Sequence, residues 1–332
     1  MKRIALRLLA LLTAVALAAV AAELAARSLD VYGVNYYRDV QRYLTEAIAM
    51  APQEEVSPAG RIFQNKPHVD LELKTFDYRT DAHGLRVGAE TGDAGREGLR
   101  ALFLGDSVTV AWGVDDEDSW IRRLERGSSA SDGRALNCLN AGHLMFDTVQ
   151  EASLLRAWGP ELAPELIVLT FIFNDLHPTY DQIEELTSPT GGAGELGWQE
   201  SRFLRFFWAL KSIVRFRSEL DQVTTEDRWQ FPPYSYYPDG WPRCAAALDD
   251  IKRTAEALGA RLVINDHTTP EIPELSAWCE ANQVPCIFTA LSEEDQKRYR
   301  NSVIDTHLNA EGNAVVAELT REQLVELGIL AP

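Results

Sequence analysis

Five short stretches of this chain, 100–104, 135–139, 166–173, 261–265 and 284–288, are apolar without strict alternation, and helical patterns separate them. A strand that is apolar on successive positions is covered on both faces, which is the situation of parallel rather than antiparallel sheets. Parallel neighbours need long crossover connections. The segments 118–126, 148–157, 242–258, 273–281 and 310–327 supply them, and in the last Val316, Leu319, Leu324 and Leu327 share one face. Right-handed crossovers turn such a chain into a doubly wound α/β fold, a three-layer α/β/α sandwich around a five-stranded parallel sheet.

The amino terminus stands outside this pattern. Lys2, Arg3 and Arg7 precede a run from 8 to 22 that is apolar except for one threonine. A basic leader before an apolar core is the pattern of a secretory signal, and Ala19-Val20-Ala21 offers a small-x-small cleavage site. Apolar character resumes after Glu23 with Leu24, Ala25 and Ala26, long enough for an uncleaved membrane anchor of about 20 residues. Residues 1–29 therefore read as a signal anchor or a signal peptide. Either exports the remainder, leaving it membrane-anchored on the extracytoplasmic side or secreted.

Residues 30–98 read as a stalk, linker and short extension: a helical stalk over 31–50, a linker over 51–61, strand-like pieces at 69–73 and 75–78, and a Gly-rich loop over 88–98. The regular domain is expected over 99–332. It is interrupted by an insertion at 176–241, with a Gly-rich loop (188–197), a helix (201–223) and an aromatic stretch (229–237). An insertion of that length reads as a lid or as an addition packed on the core. The formal charge of −18 repels phosphate backbones and argues against a nucleic-acid partner. Of the four cysteines, Cys279 and Cys286 flank a short turn and could bridge, whereas Cys138 reads as a buried thiol; the spacings match no zinc pattern.

The chemistry-bearing residues sit where such a sheet places ligands. The apolar run ending at Leu104 stops at Gly105 and delivers Asp106-Ser107, a serine between strand and helix. A serine hydroxyl needs a base to take its proton, and the base needs an acid to fix its tautomer. Asp305-Thr306-His307 supplies both.

Four blocks together resemble the SGNH (GDSL-type) hydrolases, from about Asp81 to the carboxyl terminus. They are Leu104-Gly105-Asp106-Ser107-Val108-Thr109 followed by Trp112-Gly113-Val114, then 137–150 with Asn140-Ala141-Gly142, then Phe173-Asn174-Asp175, then Asp305-Thr306-His307-Leu308-Asn309-Ala310-Glu311-Gly312. Thr80-Asp81-Ala82-His83-Gly84-Leu85-Arg86 is similar to a segment preceding the serine in membrane-anchored bacterial members. The resemblance implies a flavodoxin-like sheet, Ser107 as nucleophile, His307 as general base and acid, Asp305 as its orienting acid, and no cofactor or metal. It implies an oxyanion hole made of the Ser107 N–H, an N–H from the second block and the Asn174 amide. Three positions depart from the family pattern. Ile304 stands where the usual acid lies, three before the histidine; Ile172 replaces a glycine two before Asn174; and Met145 occupies the usual glycine donor position, with Gly142 as the alternative donor.

The implied activity is an esterase acting on short acyl esters, O-acetyl groups on envelope or extracellular carbohydrate first among them. Its partners would be an ester-bearing small molecule or polysaccharide and, through the terminal helix, a membrane. The same triad serves acyl transfer, and the fold can also serve a non-catalytic carbohydrate-binding or envelope-assembly protein. His143, His177 and His267 show no ligand spacing and read as surface or supporting residues. Asp115 to Asp118 lacks the glycine and distal glutamate of a calcium loop and reads as a solvated acidic loop.

Overall fold

A computed structural model describes residues 2–29, 33, 35–50, 63–89, 97–176, 240–302 and 305–332. Helix α1 spans Lys2–Leu29 and α2 spans Asn35–Arg42, followed by a π-helical turn, Tyr43–Ala47, and strand β1, Ile48–Met50. Strands β2 (Phe63–Asn65), β3 (Asp70–Glu72), β4 (Asp77–Thr80) and β5 (Arg86–Val87) follow. The regular part then runs β6 (Leu99–Leu104), α3 (Ser107–Val110), α4 (Trp120–Gly127), β7 (Leu136–Asn140), α5 (Thr148–Leu162) and β8 (Leu166–Phe171). It closes with α6 (Trp241–Leu258), β9 (Arg261–Asp266), α7 (Pro273–Asn282), β10 (Cys286–Phe288), α8 (Glu293–Tyr299) and α9 (Ala310–Glu326).

The central sheet has the order β10-β9-β8-β6-β7-β5-β4-β3. Its first five strands are parallel, with Ala101 opposite both Cys138 and Leu166, and Leu166 opposite Arg261. That is the flavodoxin-like order, with the switch point between β6 and β8, where the crevice at the carboxyl ends of the strands accepts a ligand. Side chains divide by strand parity. Leu102, Leu104, Ile167 and Leu169 pack under α5, α6 and α7, whereas Ala101, Phe103, Leu166 and Val168 pack under α4 and α9. The expected three layers are therefore present, with each parallel strand's ends within two residues of expectation. Only β8 stops early, at Phe171. There the Ile172 N–H donates to Asp175 Oδ2 at 2.7 Å and the chain turns into a short 3₁₀ helix, Phe173–Leu176.

Three expectations change. The segment 35–50 is not a free stalk: Tyr43 is fully buried, its hydroxyl donates to Asn65 Oδ1 at 2.6 Å, and its ring meets Tyr78 and Trp112 edge-on at 5.2 and 5.4 Å. A phenol buried with a hydrogen-bond partner and aromatic neighbours belongs to the core. The short pieces before the domain do not stand apart either. β3, β4 and β5 extend the central sheet as an antiparallel edge, joined through Arg86 opposite Asn140 of β7. The loop at 115–118 also differs. Asp116 is buried and paired with Arg122 at 2.9 Å, and Asp118 pairs with Arg123 at 2.6 Å.

The loop, helix and aromatic stretch expected over 188–237 lie outside the described residues. The two ends of that insertion are adjacent, since a Cβ built on Gly240 would stand 1.9 Å from Leu176 O. All four cysteines are free thiols, Cys138 buried in β7 as expected.

Candidate active site

The nucleophile candidate is placed by a sharp strand-to-helix turn. Gly105, at the end of β6, has φ +151°, and a Cβ there would lie 2.1 Å from Thr109 Oγ1. Only glycine fits both conditions. Asp106 caps α3, accepting from Val108 N at 2.9 Å, and Ser107 opens the helix, 7% exposed. Asn140 at the end of β7 donates to Thr109 O at 3.0 Å and accepts from Gly142 N at 3.0 Å, tying the second block to α3. The His143 N–H donates to Gly105 O at 3.1 Å.

Asp106 is the hub of this half of the site. One of its oxygens accepts both the Ser107 hydroxyl, at 3.1 Å, and Asn174 Nδ2, at 2.7 Å. Burial pushes its carboxyl above the ordinary value; the Val108 N–H, the charge of His307, and the Asn174 and Ser107 hydrogen bonds pull it back. Asn174 is positioned by Asp175, whose Oδ1 accepts from Thr148 Oγ1 at 2.8 Å while Oδ2 holds Ile172 N. Asp175 and the neighbouring Glu151 are fully buried carboxyls, both pushed well up, first by burial; the charges of Asp106 and Asp147 raise both, and that of Asp175 raises Glu151 further. Neither Glu151 oxygen has a hydrogen-bond partner among the described residues.

The other half is the dyad. His307 Nδ1 meets Asp305 Oδ1 at 2.6 Å, and the His307 N–H reaches the same oxygen at 3.2 Å. Asn301 Nδ2 braces Asp305 Oδ2 at 3.2 Å and spans to Trp112 O at 3.2 Å, while Asn301 N donates to His307 O at 2.7 Å. The dyad is thereby pinned to the loop that follows α3. Tyr36 of α2 lies against the histidine, with ring centroids 6.0 Å apart. Among the described residues no hydrogen bond joins His307 to Ser107, whose hydroxyl rests on Asp106 instead. The two halves approach closely enough for the His307 charge to act on the Asp106 carboxyl. Ile304 lies outside the described residues.

Of the two candidate backbone donors in the second block, Gly142 N is already committed to Asn140 Oδ1. Met145 is different. It sits at φ +68°, in the left-handed region that a glycine would take without strain, and its N–H is not among the donors that close this turn, which are His143 N and Phe146 N. His143 and His267 are not surface residues. His143 is buried and stacks on Phe146 at 4.1 Å, and His267 bonds Thr289 Oγ1 at 3.1 Å. His177 lies outside the described residues.

Four contributors escaped the sequence. Asp106 entered only as the residue before Ser107, and Asp175 only as the residue after Asn174. Asn301 carries no motif. Arg86, within a block already noted, turns out to be buried with its guanidinium donating to the carbonyls of Val110, Ala111 and Val114, the loop that leaves the nucleophile helix.

No family model matches the chain, and no curated protein matches it in sequence. Solved structures with similar backbones include a psychrotrophic esterase from Pseudoalteromonas sp., 12% identical with a TM-score of 0.41, over 69% of this chain and 98% of that one. Another is an acetylxylan esterase from Geobacillus stearothermophilus, in a catalytic mutant, 11% identical with a TM-score of 0.39, over 70% and 95% of the two chains. A third is a GDSL-like lipase from Bacteroides thetaiotaomicron, 13% identical with a TM-score of 0.38, over 69% and 89%. Backbones this distant host many activities, so function is argued from the site itself.

Proposed function

We propose that this chain is an exported serine esterase of the SGNH type, cleaving short acyl esters through a covalent acyl-enzyme on Ser107. The observation that carries the reading is the 2.6 Å contact of His307 Nδ1 with a braced Asp305, set beside a serine at the switch point of a parallel sheet. An aspartate on Nδ1 leaves Nε2 as the free base, which is the tautomer the chemistry needs.

The proposed steps use these residues in turn. In this reading the Ser107 hydroxyl exchanges Asp106 for His307 Nε2 when substrate binds, since catalytic hydrogen bonds that are loose in apo sites tighten in the complex. Ser107 Oγ then attacks the ester carbonyl as Nε2 takes its proton. The developing oxyanion would be met by the N–H of Ser107, the N–H of Met145 and the second N–H of the Asn174 amide, the first being engaged by Asp106. His307 returns its proton to the leaving alcohol, and a water activated the same way releases the acyl group. In this reading Met145 stands where the family pattern has a glycine, and a side chain at that donor position would narrow the acyl pocket, which favours a small acyl group such as acetyl. We assign O-acetyl groups of envelope or extracellular carbohydrate as the substrate class. Helix α1 supports the extracytoplasmic setting, because its large apolar side chains from Ile4 to Leu24 are 55–72% exposed and its span Leu6–Ala25 is long enough to cross a bilayer.

The test is hydrolysis of p-nitrophenyl acetate by the full chain in detergent. Ser107→Ala should lower kcat/KM by at least about a thousandfold with an unchanged unfolding temperature. Equal rates in the two proteins would end the enzyme reading.

A further inference from the structure

The segment that follows the apolar helix is built into the catalytic loop. Gly33, at φ +75°, lies so close to that loop that a Cβ on it would stand 1.9 Å from Ser302 Oγ and 3.9 Å from the Asp305 backbone nitrogen. Ser302 Oγ in turn accepts from Asp305 N at 2.9 Å. Gly33 O accepts from Tyr36 N at 3.1 Å, and Tyr36 lies on the His307 ring. Farther along α2, buried Asp39 accepts from Lys74 N and Thr75 Oγ1, both at 2.9 Å, and Tyr43 is anchored on Asn65. Gly33 and the described residues from Tyr36 to Tyr43 are therefore held against the folded body.

Covalent geometry then limits how far the dyad can stand from a membrane. Between Ala25, the end of the apolar span, and Leu29, the helix rises about 6 Å. Four peptide steps from Leu29 to Gly33 reach at most about 15 Å. Asp305 N lies a further ~5 Å away, by the Cβ contact and one bond length. Subtracting about 6 Å of headgroup layer leaves the catalytic acid within about 20 Å of the lipid surface. A folded body of this size is about 45–50 Å across, so the site lies on its membrane-proximal half. The charge of −18 offers an anionic surface no attraction, leaving the tether as what holds the body there.

We propose that the ester is presented by the same membrane: an O-acetylated glycan held by a lipid anchor, whose ester lies within this shell above the bilayer. The inference rests on the esterase reading of Ser107, His307 and Asp305 and on retention of α1. Confinement in one membrane raises the ester's local concentration to the millimolar range, so hydrolysis should exceed that of the same ester at about 10 µM in bulk by on the order of a hundredfold.

The experiment places the full chain in phosphatidylcholine vesicles with a lipid whose headgroup carries umbelliferyl acetate, in the same vesicles or in separate ones. Soluble umbelliferyl acetate is the control. We expect the roughly hundredfold preference for the same vesicle to fall at least tenfold when a rigid helical spacer of about 40 residues, some 60 Å, is inserted between Leu29 and Gly33, with the soluble rate unchanged. A preference that survives the spacer, with the soluble ester still cleaved in a Ser107-dependent way, overturns this inference and leaves the esterase reading intact. Absence of Ser107-dependent cleavage of the soluble ester overturns both. A mature protein lacking α1 when recovered from cells also overturns the inference, while leaving the chemistry untouched.

Discussion

Arg86→Met tests whether the edge strands hold the nucleophile loop in place. Arg86 is 1% exposed; its guanidinium donates to Val110 O, to Ala111 O at 2.9 Å and to Val114 O, and lies 5.4 and 5.8 Å from the ring centres of Phe76 and Tyr78. Burial lowers its basicity, with Asp116 the first of the charges that oppose this. No carboxylate bonds it among the described residues, because Asp116 Oδ2 is taken by Arg122 at 2.9 Å. Main-chain carbonyls and two aromatic faces compensate the buried charge. Methionine keeps much of the stem and loses every donor. Relief of the guanidinium's desolvation favours the variant by several kcal/mol. Against it stand three charge-assisted hydrogen bonds at about 1.5–3 kcal/mol each and cation–π contacts of about 0.5–2 kcal/mol. The three carbonyls left without donors add to the loss, and we expect net destabilisation of about 3–5 kcal/mol, at the severe end for one substitution. At about 2–4 °C per kcal/mol for a domain of this size, the midpoint should fall by roughly 10 °C. Thermal and urea unfolding read the stability, and ester hydrolysis at 25 °C reads the loop, since 110–114 continues directly from the helix that opens at Ser107. Arg86→Lys should recover part of the stability only, because a compact ammonium cannot span from Val110 to Val114. A methionine variant as stable as the wild type would refute the argument, showing that the cost of burying the charge outweighs its bonds.

The dyad and its brace should separate in magnitude: Asp305→Asn is expected to lower kcat by about a thousandfold or more through the wrong imidazole tautomer, and Asn301→Ala by roughly ten- to a hundredfold, the worth of about one hydrogen bond to a carboxylate. Steady-state kinetics decide, and similar losses from both variants would show that Asn301 does more than brace. Burial holds Asp266 up at about 6 and His267 down at about 4. Asp266 therefore destabilises the fold as pH rises from about 4 to 6, whereas His267 destabilises it as pH falls from about 6.5 to 4, each by about 2–3 kcal/mol. His267→Asn removes one of two opposed slopes, so relative to wild type the variant should gain stability between pH 6 and 4 in urea unfolding; parallel profiles would contradict the assignment. The Cys286 thiol is lowered by its hydrogen bond with Cys279, and the same contact raises Cys279. Treatment with oxidised glutathione should join the two as a disulfide, leaving Cys138 and Cys244 as free thiols by peptide mapping, and mixed glutathione adducts on both would count against their proximity.

What could be read from the sequence follows from which features burial alone determines. The five parallel strands lose alternation because both faces are covered, so their apolar runs marked them, and the crossovers followed from chain length. β5 contains two residues, and nothing in Arg86-Val87 announces a strand; its place comes from pairing with Asn140 across the sheet. Tyr36 and Tyr43 looked like the surface of a stalk because a polar eight-residue helix and the turn after it hide which tyrosine has a buried partner. At the candidate site, residue types were legible because the proposed chemistry demands a hydroxyl, an imidazole, a carboxylate and an amide. Which hydrogen bonds they make was not. The two candidate donors in the second block show why: Gly142 has the conformational freedom, and Met145 has only its place in the motif. Once Asn140 engages the Gly142 N–H, that donor is spent, and the chain holds Met145 in a left-handed conformation costing about 1–2 kcal/mol. Such strain in a non-glycine residue persists where its surroundings over-determine it. Here those are the Gly105 to His143 and His143 to Phe146 bonds that close the turn around it, which is the tethering a preorganised oxyanion donor requires.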